Sequence, residues 1–179
     1  MNKLTLNDIE VSGRRVLVRV DFNVPLTQAD DGTQSVADDT RIEAALPTIR
    51  TIINANGKAI LISHLGRPGG QPDPSYSLAP VAERLEELLD KRVRFSSNTT
   101  GQAVQDVIDS MPDGSVILLE NTRFEPGEKA NDEGFAKALA GLADVYVNDA
   151  FGAAHRAHAS TAGVAQFVPQ AAMGLLLKE

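Results

Sequence analysis

Short apolar runs at residues 16–20, 59–62, 93–95, 116–119 and 145–147 alternate along the chain with segments of helical spacing. Runs of three to five branched residues are too short to be helices and read as strands buried on both faces. Between them, residues 47–55 open with a proline suited to a first helical turn. Residues 78–89 place Leu78, Val81, Ala82, Leu85, Leu88 and Leu89 at helical spacing. Residues 102–111 and 131–142 continue the alternation, the latter with Asn131 as N-cap and Asp132 and Glu133 in the first turn. Strand and helix repeated in this order predict an α/β fold: an open parallel sheet of five or six strands, helices on both faces, in a Rossmann-like three-layer single domain.

Composition narrows what such a sheet can serve. A length of 179 residues suits one domain, and 4% aromatic content with no Trp leaves the core to branched aliphatics. A formal charge of -7 argues against general binding to nucleic acid or anionic membrane, so any anion site must be local. The absence of Cys removes disulfides, thiolate catalysis and zinc-finger chemistry. With no signal-like apolar region after Met1 and no run of about 18 apolar residues, the expected location is cytoplasmic.

Two stretches read as irregular. Residues 28–37 (QADDGTQSVA) form a surface loop or hairpin, and residues 66–76 (GRPGGQPDPSY) a long loop, its glycines and prolines excluding helix and central strand. Residues 171–179 (AAMGLLLKE) begin an apolar helical pattern that stops after barely two turns. The expected division is therefore a domain over 1–170 and the start of a truncated helix over 171–179.

The strand ends carry the chemistry. The run at 16–20 leads into Asp21 and Asn23; that at 59–62 into His64, Gly66 and Arg67; that at 116–119 into Glu120, Asn121 and Arg123; that at 145–147 into Asn148, Asp149, His155, Arg156 and His158. Arg41 follows the acidic loop just before a helix. In an open parallel sheet these ends share one edge, where ligands bind. Arg41, Arg67, Arg123 and Arg156 can clamp a small dianion with planar forks, and His64 can add a donor and tune its charge near neutral pH. Asp21 and Asn23 would recognise a hydroxyl or orient an arginine. The ligand expected from these residues carries phosphate, carboxylate and hydroxyl groups.

Each residue also has a plainer reading. A lone Arg after a strand is more often a surface ion pair, and Asp21 beside Arg19 reads as a structural one. His155 and His158, three apart, lack a third metal ligand. Gly66, Gly69 and Gly70 fit neither G-x-G-x-x-G nor a P-loop, so turn-making is their default. Ser63 beside His64 is not on a nucleophile elbow, which leaves acyl-enzyme chemistry without support.

Six stretches, taken in order (RVDFNVPL, DDTRI, SHLGRP, LAPVAERL, LLENTRF and NDAFGAAHRAHAS), resemble the N-terminal half of the phosphoglycerate kinase family along nearly the whole chain. The resemblance implies that Asp21 and Asn23 bind the substrate hydroxyl region. Arg41 would contact the carboxyl end of 3-phosphoglycerate and stabilise the phosphoryl group in flight. His64, Arg67, Arg123 and Arg156 would hold the non-transferred 3-phosphate. It further implies reversible phosphoryl transfer between 1,3-bisphosphoglycerate and Mg-ADP, with Mg-ATP or Mg-ADP on a C-terminal domain that has no counterpart in this sequence. The expectation is a monomeric substrate-binding half with no cofactor or metal site of its own, inactive alone. The alternative is a stand-alone binding module for small phosphorylated carboxylic acids.

Overall fold

A computed structural model describes residues 4–150 and 156–178. Its main sheet has six parallel strands: β1 (Arg15–Arg19), β4 (Lys58–Ile62), β5 (Val93–Ser96), β6 (Val116–Leu119), β7 (Val145–Asn148) and β8 (Gln170–Met173), in the spatial order β5-β6-β4-β1-β7-β8. The remaining strands, β2 (Leu26–Gln28) and β3 (Gln34–Val36), form an antiparallel hairpin, the hairpin alternative for residues 28–37.

Strand alternation splits the core into two layers, as side-chain period two requires. Val16, Val18, Ala59, Leu61, Val116, Leu118, Val145 and Val147 face one side, with Ile42, Ile49 and Ile52 of α1 (Thr40–Asn54) and Val81 and Leu85 of α2 (Ala79–Leu89). Leu17, Ile60, Ile62, Ile117, Leu119 and Tyr146 face the other, with Val104 and Ile108 of α3 (Gln102–Ser110) and Ala136 and Leu139 of α4 (Glu133–Ala140). This is the three-layer arrangement expected, with six strands.

Three local expectations change. Helix α1 starts at Thr40, not at residue 47, so Pro47 sits in its interior and Arg41 in its first turn rather than before it. The buried stripe Ile42, Ala45, Leu46, Ile49, Ile52 and Ile53 outweighs the roughly 3 kcal/mol that an interior proline costs. Helix α4 is capped by Asp132, whose side chain accepts the Phe135 N–H, while Asn131 adopts a left-handed φ of 52°. Residues 170–173 are a strand, and the terminal helix α5 is confined to Leu175–Lys178. Ala171, Ala172 and Met173 favour helices intrinsically, but pairing with β7 supplies partners that a two-turn helix would lack.

The strand order sets the location of the site. The chain leaves β1 for β4 on one side and, after β6, crosses to β7 on the other side of β1. Loops from the two halves diverge at the carboxyl ends of β1 and β7, and a crevice opens there.

Candidate anion-binding site

Arg19, the last residue of β1, is fully buried among the apolar residues of the α3/α4 face. Its Nε donates to Ser160 Oγ at 2.9 Å, its Nη1 to the Val20 carbonyl, and its Nη2 to His64 Nδ1 at 2.7 Å. Arg19 does not pair with Asp21. Asp21 instead accepts from Arg41 Nη1 at 3.3 Å, which corrects the Arg19–Asp21 ion pair. Burial pushes the Arg19 guanidinium below its ordinary range, with Glu128 acting in the opposite direction.

His64 follows β4 and is likewise buried. A guanidinium can only donate, so His64 Nδ1 is the acceptor and the ring carries its proton on Nε2. Desolvation first, then the charges of Arg19, Arg123, Arg156 and His158, lower its pKa to about 2. His64 is therefore a neutral donor throughout the physiological range; the expectation that it tunes its charge near neutral pH is corrected.

The β6 end is organised by Asn121. Its side-chain oxygen accepts the Leu65 and Arg123 N–H groups, and its amide donates to the Leu65 and Tyr76 carbonyls. One buried side chain thus holds the β4 loop, the end of the 66–76 loop and the Arg123 backbone together. Arg123, itself buried, donates Nη1 to the Gly66 carbonyl at 2.8 Å, while its Nε has no acceptor among the described residues. Burial, and then the nearby charges of Arg156 and Arg19, push it below the ordinary arginine range. A buried guanidinium N–H with no acceptor carries a free-energy cost that an incoming anion removes.

The β1 loop meets the same point. Asn23 Oδ1 accepts the Gly66 N–H at 2.9 Å, and the Asn23 carbonyl accepts Arg41 Nη1 at 2.8 Å. Gly66 has φ 60°, and a Cβ there would lie 2.4 Å from the Tyr76 ring, so its turn-making reading holds for two independent reasons. Ser63 Oγ accepts the Phe22 N–H and donates to the His64 carbonyl, a bracing role between β1 and β4.

All seven residues singled out from the sequence lie at this one edge. Asp21, Asn23 and Arg41 form one linked group; His64, Arg123 and Arg156 interact electrostatically, and Arg67 acts on Arg123. Arg41, Arg67 and Arg156 are exposed, whereas His64 and Arg123 are buried. His155 lies outside the described residues; His158 is half-buried, with its pKa lowered chiefly by burial. The sequence reading missed Arg19 as a member of the cluster and Asn121 as its clip. A charged residue closing an otherwise apolar, doubly buried strand was the available signal for Arg19.

A cluster of cations and a neutral imidazole sits at the switch point of an open parallel sheet, the arrangement of an α/β domain of the doubly wound class. The chain belongs to the phosphoglycerate kinase family, whose model matches residues 6–179, and it corresponds to the family's N-terminal region. It is 69% identical over its full length to phosphoglycerate kinase of Salinibacter ruber and 51% identical to that of Fervidobacterium nodosum, covering 45% and 44% of those proteins. Among solved structures it superposes on phosphoglycerate kinase from Coxiella burnetii with a TM-score of 0.86 at 38% identity, over 99% of this chain and 42% of that one. For the Pyrococcus horikoshii enzyme the TM-score is 0.83 at 33% identity, over 98% and 43%. The chain thus spans under half the length of these relatives.

Proposed function

We propose that the chain binds 3-phosphoglycerate and the non-nucleotide end of 1,3-bisphosphoglycerate, as the substrate-binding half of a reversible phosphotransferase. The observation that carries this reading is the buried Arg123 Nε, without a partner among the described residues, beside a neutral His64 whose Nε2–H is committed as a donor. Arg123, His64, Arg67 and Arg156 hold the phosphate that is not transferred. Asp21 and the Asn23 amide take the hydroxyl region. Arg41, tied to both by its guanidinium, faces the carboxyl end and neutralises charge on the phosphoryl group as it moves. Transfer of this kind needs positioning and charge neutralisation rather than a covalent intermediate, and arginines fixed by the backbone supply both.

Relatives about twice this length carry the name of a kinase, which requires a nucleotide partner. Among the described residues no group of three or more His, Cys, Asp or Glu is arranged to hold a metal ion, and no step is assigned to Mg-nucleotide on this chain's own residues. The chain alone is expected to bind without turnover.

Titrating 3-phosphoglycerate into the 179-residue chain, followed by heteronuclear NMR, tests the reading. Shifts concentrated at residues 21–23, 64–67, 123 and 156, and weakened in Arg41→Ala and Arg123→Ala, are expected. No site-specific shift at millimolar ligand overturns it for the chain alone. Joining the chain to the C-terminal part of a relative and assaying transfer separates an enzyme half from a stand-alone binding module: no gain in activity favours the module.

A further inference from the structure

Beneath the anion site lie three polar residues that the binding reading does not use: Glu128, Ser160 and Tyr146. Glu128 is fully buried, yet among the described residues it makes no direct ion pair. Both of its carboxylate oxygens are turned to one residue: Oε1 accepts the Ser160 N–H at 2.8 Å and Oε2 accepts the Ser160 hydroxyl at 2.6 Å. Its backbone carbonyl accepts the Ala159 N–H, and the Tyr146 hydroxyl donates to the Ser160 carbonyl at 2.8 Å. Ser160 is thereby held from every side.

A serine hydroxyl has one proton to give. Spent on Glu128, it leaves the oxygen lone pairs to face Arg19 Nε, at 2.9 Å. Arg19, oriented by that bond and by the Val20 carbonyl, aims Nη2 at His64 Nδ1. Three side chains in a row, Glu128, Ser160 and Arg19, thus lead to the His64 ring. We propose that Glu128 is a positioning residue which, through Ser160 and Arg19, locks His64 in the Nε2–H form that donates to the bound phosphate. The role in phosphate binding rests on the function proposed above; the relay itself does not.

The competing role for Glu128, a mere counter-charge to the basic cluster, predicts the opposite sign. Glu128→Gln removes a negative charge near a dianion site, so a counter-charge role makes phosphate binding tighter. A positioning role makes it weaker, because the amide of Gln must oppose one of the two Ser160 donors or give up orienting its hydroxyl.

The test is 15N NMR of the His64 ring in the ligand-free 179-residue chain between pH 5 and 8, with 3-phosphoglycerate titrations alongside. Its subjects are the unmodified chain, Glu128→Gln, Ser160→Ala and Ser160→Thr. Arg19, Arg123, Arg156 and His158, whose charges act on the ring, are left unsubstituted in every variant. The unmodified chain is expected to show one Nε2–H tautomer that does not titrate. Glu128→Gln and Ser160→Ala are expected to give mixed or titrating signals and about tenfold weaker binding, the size of one lost charge-assisted contact, and Ser160→Thr to restore both. An unchanged tautomer with tighter binding in Glu128→Gln overturns the proposal. Should Glu128→Gln fail to fold, Ser160→Ala, which keeps the Ser160 N–H bond to Glu128, decides on the same two readouts. A tautomer change without ligand binding in any variant upholds the relay and overturns the binding function instead.

Discussion

The floor and the rim of the site use the same side chain in different ways. On the floor, Arg19 and Arg123 are buried and cross-braced, their nitrogens directed by Ser160, His64 and backbone carbonyls. At the rim, Arg41, Arg67 and Arg156 are exposed, and Arg41, 54% exposed, leans on Asp21 through a 3.3 Å contact. Floor arginines bear a desolvation cost in the ligand-free chain and are fixed in direction. Rim arginines are nearly free of that cost and can follow a ligand. For the dianion proposed above, the pairing is a rigid seat with an adaptable cover inside a protein of net negative charge.

Removing Arg19 is the severest way to break this contrast. Arg19→Ala removes a buried positive charge facing Glu128 and leaves His64 Nδ1 and Ser160 Oγ without their donor, so a loss of about 3–5 kcal/mol of stability is expected. Urea denaturation checks it, and a loss no larger than that of a rim variant would erase the distinction between floor and rim.

Arg123 sharpens it. Its Nε has no acceptor among the described residues, so Arg123→Ala should weaken 3-phosphoglycerate binding by about 1.5–3 kcal/mol, the range for charged hydrogen bonds, while changing stability far less than Arg19→Ala. Paired calorimetric titrations and denaturation curves measure the two effects. Arg123→Lys should not restore affinity, since an ammonium cannot bridge the Gly66 carbonyl and a phosphate in one plane.

The pH dependence of stability separates a buried base from a buried acid. Burial raises the Asp149 carboxyl to about 6, and the Leu176 N–H bond only partly opposes it. The folded chain then holds a proton that the unfolded chain releases near pH 4, so this contribution falls as pH rises from about 4 to 6. Asp149→Asn should flatten that slope and add up to about 3 kcal/mol at pH 7, at 1.36 kcal/mol per pKa unit. His64 acts in the other direction: with its folded pKa near 2, its contribution is whole above the unfolded value of about 6.5 and is lost as pH falls. Denaturation midpoints from pH 4 to 8 for the Asp149→Asn and His64→Gln variants resolve the two slopes.

The smallest effect belongs to the rim. Arg41→Ala should alter stability by less than about 0.5 kcal/mol, as exposed pairs do. A larger change in denaturation midpoint would show the rim to be structural.

Legibility in the sequence followed the same division. Strands β1, β4, β6 and β7 were plain because burial on both faces leaves continuous apolar runs. Strand β8 was hidden, since Ala171, Ala172 and Met173 carry helix preferences and its identity comes from pairing with β7. The start of α1 was hidden by Pro47, whose local meaning was overruled by an isoleucine stripe. Arg67, Arg123 and Arg156 could be placed together because topology alone carries strand ends to one edge. The Arg19–His64 contact could not, because it joins residues 45 apart in sequence and depends on how both side chains pack. Burial of the ring, with the charge of Arg19 beside it, overturned the reading of His64 as a titrating group.

The central position of β1 has a consequence for how the chain is made. Its two neighbours in the sheet are β4, which begins at Lys58, and β7, where Val16 meets Val145. During synthesis from the amino end, a valine-rich strand with one open edge must wait while about 130 further residues emerge, at roughly 5–20 residues per second. For those seconds its unpaired backbone is a template for other chains, and non-local pairing of this kind slows folding. The strand that organises the binding site is thus also the one most in need of protection on the ribosome.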